Sequence, residues 1–247
     1  MSLIVHISDL HFSKSDFNKD KFQEAVNEIN ALNPDFIILT GDLTDNGYYR
    51  EFEKVTNYIS MFQPPLFIIP GNHDSRNLGY ESFEEIIGER SWKITVGDEL
   101  VVIGLDSSAP DLNSGNIGRP QQAWLDHELD QCVMESKFII VALHHHIIPV
   151  PRTGRERNIL YDAGEILKTL TMHEVDLVIS GHKHVPNVWR INNTIFANAG
   201  SVSSYKLRGD DVNSYNIYNI TEDSIELFLQ KVGGERFLID KFEKNKV

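Results

Sequence analysis

Phe36-Ile37-Ile38-Leu39-Thr40-Gly41-Asp42 is the stretch that decides the fold: an apolar run, then a threonine, a glycine and a carboxylate. An apolar run without alternation is how a strand covered on both faces reads. The same texture recurs at 3–7, Leu66–Ile69, Leu100–Leu105, Phe138–Leu143 and 177–179. Between these runs lie helical stripes. Phe22, Ala25, Val26 and Ile29 repeat at i, i+3, i+4 and i+7, and Phe52, Val55, Ile59 and a shifted Phe62 follow a similar pattern. Pro120 suits the first turn of a helix carrying Trp124, Leu125, Leu129 and Val133. Asp162 is placed to cap a helix carrying Ile166, Leu167 and Leu170. Strands alternating with helices predict an α/β fold with a mostly parallel sheet.

After about residue 187 the texture changes. Runs at 188–191, 194–197, 216–220, 225–230 and 237–242 read as strands separated by Asn192-Asn193, Thr221-Glu222-Asp223 and Gly233-Gly234. The tail is predicted to be a C-terminal antiparallel meander forming a second sheet packed on the first. No linker separates the two parts, so 1–247 is expected to be a single domain.

Composition narrows the function classes. With Cys132 as the only cysteine, intramolecular disulfides and Cys-ligated zinc are excluded. Any metal would be held by His, carboxylate and amide oxygen. A net charge of −13 argues against charge-driven binding to nucleic acid or anionic membrane. It does not argue against an anionic substrate, because bound cations reverse the local sign. The N-terminus lacks a signal-peptide pattern and no apolar run is long enough to span a bilayer, so a cytoplasmic protein is expected.

The polar residues that need explaining sit where the apolar runs stop. Asp9 and His11 follow the first and Asp42 the second; Asn72-His73-Asp74 follows the third after Pro70-Gly71. His144-His145-His146 follows Phe138–Leu143, and Gly181-His182-Lys183-His184 follows 177–179. Ligands of open α/β sheets bind beyond the carboxyl ends of the strands. Asp9-x-His11 or Gly41-Asp42 alone could be turn chemistry. The coincidence of five such ends points to one site.

The order Asp9-x-His11, Gly41-Asp42, Gly71-Asn72-His73-Asp74, His144, Gly181-His182-x-His184 resembles the calcineurin-like metallophosphoesterases. The resemblance covers about the first 200 residues, including 118–129, and is closest in pattern to their bacterial and archaeal cyclic-nucleotide phosphodiesterases. It implies a metallophosphoesterase-type four-layer sandwich, two facing mixed sheets flanked by helices. It also implies two divalent transition-metal ions, one bound by Asp9, His11 and His184 and the other by Asn72, His144 and His182, with Asp42 bridging. Imidazole and oxygen ligation without thiolate suits Mn, Fe, Co or Zn. Two such ions bring four positive charges and the two carboxylates remove two, leaving a surplus for a hydroxide and one phosphodiester anion. The activity implied is hydrolysis of a small phosphodiester, such as a 3′,5′-cyclic nucleotide, by a metal-activated hydroxide. His73 is assigned to protonating the leaving oxygen or stabilising phosphoryl charge, and Asp74 to hydrogen-bonding the His73 ring.

Among the three adjacent histidines, His144 stands at the strand's mouth and matches the family ligand; many relatives continue His-Pro-Pro, which this chain does not. His145 and His146 are expected beside the ligands or facing solvent. Arg152, Arg155 and Arg157 read as a solvated turn, with guidance of a substrate phosphate as the sharper alternative. Residues 198–201 with Tyr205 and Arg208 are candidates for the opposite wall of the cleft. His6, His127 and His173 read as structural, and Trp92, Trp124 and Trp189 as packing residues. A phosphomonoesterase would use the same metals. A nuclease sharing Gly-Asn-His-Asp would need a DNA-facing domain, for which the tail is expected to leave no room, and the opposite charge. A non-catalytic scaffold is expected to lose ligands, and here all seven positions are filled. The partner is a small phosphoester, with no stable nucleic-acid or membrane partner; a homodimer is an expectation from similar proteins.

Overall fold

The computed structural model describes residues 2–153 and 158–243. In chain order the elements are β1 (Ser2–Ile7), α1 (Lys19–Leu32), β2 (Phe36–Thr40), α2 (Tyr49–Ile59), β3 (Leu66–Ile69), α3 (Gly79–Ile86), β4 (Trp92–Val96), β5 (Leu100–Leu105) and α4 (Gly118–Met134). They continue with β6 (Phe138–Leu143), α5 (Ala163–Met172), β7 (Leu177–Ser180), β8 (Asn187–Ile191), β9 (Thr194–Asn198), β10 (Ser214–Ile220), β11 (Ser224–Lys231) and β12 (Arg236–Glu243). Two six-stranded sheets result, in the orders β12-β11-β10-β1-β2-β3 and β4-β5-β6-β7-β9-β8.

The period-2 geometry of each strand explains the layering. In the first sheet, Ile4, Phe36 and Ile38 turn towards the second sheet, while Val5, Ile7, Ile37 and Leu39 turn towards α1, α2 and α3. In the second sheet, Val102, Ile140 and Ala142 face inwards, and Val101, Ile103, Val141 and Leu143 pack under α4 and α5. Both faces of each central strand are therefore apolar, as the unalternating runs require. The result is the predicted four-layer sandwich.

The tail departs from expectation in where it goes. It forms no sheet of its own. The hairpin β8–β9 joins the second sheet, with β9 parallel to β7, whereas the meander β10–β11–β12 extends the first sheet by pairing β10 antiparallel to β1. Turn residues announce hairpins but do not name the edge a hairpin joins. Here Tyr218, Ile220, Ile225 and Leu227 fill the same inter-sheet layer as Ile4, and that burial selects β1 as partner.

β4 and α3 were not foreseen. β4 is a half-buried edge, and Trp92 Nε1 donates to Ile68 O at 2.7 Å, stitching the edges of the two sheets together. Asp162 precedes α5 but does not cap it. Its carboxylate accepts from Ile117 N at 3.1 Å and Gly118 N at 2.8 Å, at the start of α4. In α4 it is Cys132 that is buried, and Val133 is exposed.

Candidate metal centre

The carboxyl ends of β1, β2, β3, β6 and β7 bring all seven predicted ligands together. Backbone bonds run the first two strand ends side by side: Asp9 N to Gly41 O at 3.1 Å and His11 N to Asp42 O at 2.9 Å. Gly41 has φ +83°, and a Cβ there would overlap Gly71 N and Pro70 C, so the β2 and β3 loops meet only because this residue is glycine. Asp9, His11, Asp42, His182 and His184 all have left-handed φ, between 50° and 71°. Asp and His tolerate that region better than most residues, and clusters of it mark functional sites. The sharp turn lets side chains at consecutive strand ends point into one space.

Within that space, His184 Nε2 lies 3.2 Å from Asp9 Oδ1 and 3.0 Å from His11 Nε2. His144 Nε2 lies 3.4 Å from Asp42 Oδ2, 3.1 Å from Asn72 Oδ1 and 3.2 Å from His182 Nδ1. His11 Nε2 is 3.5 Å from Asp42 Oδ2, placing Asp42 between the two groups. Asp9-His11-His184 and Asp42-His144-His182 each have ligand atoms close enough to hold an ion, and Asn72 Oδ1 adjoins the second group. His73 enters an overlapping trio with His11 and Asp42.

The outward side of each ring fits this reading. His184 Nδ1 meets Lys206 O at 2.5 Å, His144 Nδ1 meets Thr40 O at 2.6 Å, His182 Nε2 meets Asn158 O at 2.9 Å, and His11 Nδ1 meets Asp45 Oδ1 at 3.2 Å. Each imidazole therefore donates outwards and keeps a lone pair facing the cluster. Asp9 Oδ1 is buried without a hydrogen-bond partner. A buried carboxylate oxygen left unbonded among inward lone pairs is costly unless a cation satisfies it. The donor set fits a metal.

The electrostatics of the cluster are divided. Burial alone would raise Asp42, but His144, His73 and His11 hold it well below the usual carboxylate range. Burial likewise opposes the charge on His144, yet Asp42 and then Asp9 push its pKa up to about 9. Burial lowers His11 to about 4 and holds His182 well below the usual imidazole range. Protons and metal would compete for the same nitrogens.

His73 is turned with Nδ1 on Asp45 O at 2.7 Å, with Asp45 Oδ1 3.2 Å away. The expectation that Asp74 orients this ring is corrected. The Asp74 carboxylate is wholly occupied elsewhere, accepting from Leu43 N, Thr44 N, Thr44 Oγ1 and Gly71 N. It braces the turn beneath Asp42, and Asp45 takes the His73 ring. Asp45 was missed, although Gly41-Asp42-x-x-Asp45 places it three residues beyond a candidate ligand. Arg76, which bonds Asp45 O and Asn113 Oδ1, was missed as well.

His145 is buried, with Nδ1 2.8 Å from Ser107 Oγ and Nε2 3.3 Å from Asn113 O; His146 is buried and stacks on His182. Neither faces solvent. Arg152 is exposed, 3.6 Å from Asp211, while Arg155 and Arg157 lie outside the described residues. Arg208 lines the cleft with Lys206 and Leu207; Ser201 braces Asp9 O at 2.7 Å; Asn198 is buried between the sheets. Trp189, expected as a packing residue, is 42% exposed.

Residues 2–186 match the sequence profile of the calcineurin-like phosphoesterases, three-quarters of the chain. The chain belongs to the calcineurin-like phosphoesterase family. Members use a dinuclear metal centre, and this calcineurin-like phosphoesterase is a metal-dependent hydrolase. It is 29% identical over 222 residues to a probable glycerophosphodiester phosphodiesterase of Arcobacter nitrofigilis, covering 81% of this chain and 78% of that one. It is 26% identical over 198 residues to a 3′,5′-cyclic-nucleotide phosphodiesterase of a Nostoc species, covering 73% and 71%. Its fold matches that of a dimetal phosphatase from Danio rerio, with a TM-score of 0.76 at 12% identity and 98% coverage of both chains. Among the described residues, no helix of this phosphoesterase is long and apolar enough to cross a membrane.

Proposed function

We propose that this calcineurin-like phosphoesterase hydrolyses a small phosphodiester, with a 3′,5′-cyclic nucleotide as the first substrate class, at the cluster of Asp9, His11, Asp42, Asn72, His144, His182 and His184. The observation that carries the reading is the convergence of these side chains, with His11, Asp42, Asn72, His182 and His184 lining a cleft of about 350 Å³ and each ring donating outwards. Two divalent transition ions, of the Mn, Fe, Co and Zn class, would be held by Asp9-His11-His184 and Asn72-His144-His182 with Asp42 shared. When bound, such ions acidify water and offset the charge of the ester.

The chain's own residues supply the rest. Burial lowers the His73 pKa, but Asp42 and the bond to Asp45 outweigh it and raise it overall. These neighbours favour the charged form of the ring. With Nδ1 committed to Asp45 O, Nε2 is the nitrogen left to give a proton to the departing oxygen. Arg76 and Arg208 line the cleft and offer guanidinium donors to phosphate oxygens. The likeness to relatives named for glycerophosphodiester and cyclic-nucleotide substrates supports a diester over a monoester.

The test is a parallel assay on cyclic AMP, glycerophosphocholine, bis(p-nitrophenyl) phosphate and p-nitrophenyl phosphate, with metal content measured before and after chelation. Diester turnover that chelator abolishes is the expected result. Turnover of the monoester alone sinks the diesterase reading, and bound metal with no turnover of any ester sinks the enzymatic one.

A further inference from the structure

Among the described residues that line the cleft, Leu207 is the only one whose side chain carries no polar atom. It is half-buried, yet among the described residues it joins none of the three apolar cores. An apolar side chain that supports no core and lines a polar cleft gains little until something covers it. Its place is fixed on both sides. Lys206 O takes His184 Nδ1 at 2.5 Å, Lys206 N donates to Ser204 Oγ at 3.0 Å, Leu207 N to Tyr205 O at 2.9 Å and Arg208 Nε to Lys183 O at 2.9 Å. The turn that carries Leu207 is therefore tied to the turn that carries His182 and His184, and a contact with it needs little new ordering.

The polar side chains around Leu207 already bond protein atoms. Arg76 donates to Asp45 O at 3.2 Å and to Asn113 Oδ1 at 2.6 Å, Asn72 Nδ2 reaches the same Oδ1 at 3.4 Å, and Asp45 holds the Lys206 ammonium. A polyol entering there would give up water for few new acceptors. A cationic alcohol such as choline would meet Arg76, Lys183, Lys206 and Arg208 along one cleft. A neutral group with an apolar face meets neither cost and covers Leu207. We infer that Leu207 is a specificity-determining residue that takes the apolar face of the substrate's nucleobase while the phosphate sits at the histidine and carboxylate cluster. The inference rests on the phosphodiesterase reading above and selects a nucleotide ester over a glycerol or choline ester.

The experiment compares wild type with Leu207→Ala and Leu207→Met. Calorimetry on the Mn²⁺-loaded proteins measures binding of 5′-AMP and of ribose 5-phosphate, which share phosphate and sugar and differ in the base. Thermal midpoints are recorded, and kcat and KM are measured on cyclic AMP. Wild type should bind 5′-AMP more tightly than ribose 5-phosphate. In Leu207→Ala, affinity for 5′-AMP should fall about 10- to 100-fold, the scale of one apolar contact, with ribose 5-phosphate within about threefold. The KM for cyclic AMP should rise by the same factor with kcat within about threefold, because binding is lost equally before and in the transition state. Leu207→Met, which conserves volume, should keep most of the preference. Equal affinity of wild type for the two probes overturns the inference, as does an equal loss of both or an unchanged 5′-AMP affinity in Leu207→Ala. If neither variant melts cooperatively, the residue acts in folding and the inference also fails. Wild type that prefers 5′-AMP but hydrolyses no diester removes the phosphodiesterase reading, and the binding comparison still decides Leu207.

Discussion

The Nδ1 of His144 lies 2.6 Å from the main-chain oxygen of Thr40, so the end of β6 in one sheet is anchored to the end of β2 in the other. That bond separates His144 from the two histidines that follow it. With Nδ1 committed across the sheets, Nε2 reaches Asn72 Oδ1 and Asp42 Oδ2. His145 spends both nitrogens on the loop before α4, through Ser107 Oγ and Asn113 O. His144→Ala should lose one metal equivalent and at least about 100-fold in kcat/KM, beyond the usual cost of an outer partner. His145→Asn should keep both equivalents. Equal metal loss in the two variants, measured by elemental analysis, would show that the cross-sheet bond does not choose the ligand.

Asp74 is predicted to matter for stability. Four donors converge on its carboxylate at 2.8–3.1 Å, three of them backbone N–H groups in the turns that carry Asp42 and Asn72. Burial and then the neighbouring Asp42 raise its pKa to about 6. Removing a buried acceptor strands its donors, at about 1–3 kcal/mol for each group left unsatisfied. Asp74→Ala should therefore lower the stability of the metal-free protein by about 3 kcal/mol or more, read by urea unfolding. An unchanged unfolding midpoint with kcat reduced would return the residue to a ring-orienting role.

His6 supplies a pH dependence. It lies buried between the sheets with Nε2 2.8 Å from Thr40 Oγ1 and Nδ1 3.2 Å from Tyr218 OH. Burial lowers its pKa to about 3, against a smaller opposing pull from Asp9. In the unfolded chain the same ring takes up a proton near pH 6.5. Below that pH the unfolded state binds the extra proton, so stability present above about pH 6.5 is lost as pH falls towards 3. One such group contributes at most about 1.4 kcal/mol per pH unit. Unfolding of chelator-treated protein between about pH 6 and pH 4 should show a slope flatter by up to that amount in His6→Gln. Parallel slopes for the two proteins would mean that His6 titrates normally.

The reach of the sequence follows from what each signal encodes. Apolar runs without alternation state that both faces of a strand are covered, so β1, β2, β3, β5, β6 and β7 were legible, and with them the residues at their ends. The seven candidate ligand positions could be read, and the structure brings their side chains together, because Asp, Asn and His at a strand's carboxyl end have few competing explanations when five ends agree. The edge strand β4 was missed because it is half-buried and lacks an apolar run. The split of the tail was missed because pairing depends on which inter-sheet layer Tyr218 and Ile225 fill, a tertiary choice. Asp45 and Arg76 were missed for a related reason. Each looks like an ordinary loop charge until the fold sets it behind His73. Asp74 misled by adjacency, since next to a residue in sequence is not next to its ring.

Gly71 is predicted to be intolerant of the smallest side chain. Its φ is not left-handed, so the constraint is space and not backbone conformation. A Cβ at this position would meet Asp42 Oδ1 and Asp42 N, well inside van der Waals contact. Asp42 Oδ1 is the atom that accepts from His73 N at 2.8 Å, and Asp42 Oδ2 faces both His11 and His144. The carboxylate cannot yield without leaving the position shared by both groups. Overpacking of this kind costs about 1–3 kcal/mol where the surroundings cannot shift. Gly71→Ala should accordingly lose that much stability and, in addition, bind Mn²⁺ weakly at both equivalents, because the shared ligand moves. The same substitution at Gly97, where an added Cβ meets nothing within 4 Å but φ is +60°, should cost stability through backbone conformation alone and leave both equivalents intact. Calorimetric titration of the two variants separates the cases, and full Mn²⁺ affinity in Gly71→Ala would show that Asp42 is not the residue the two groups share.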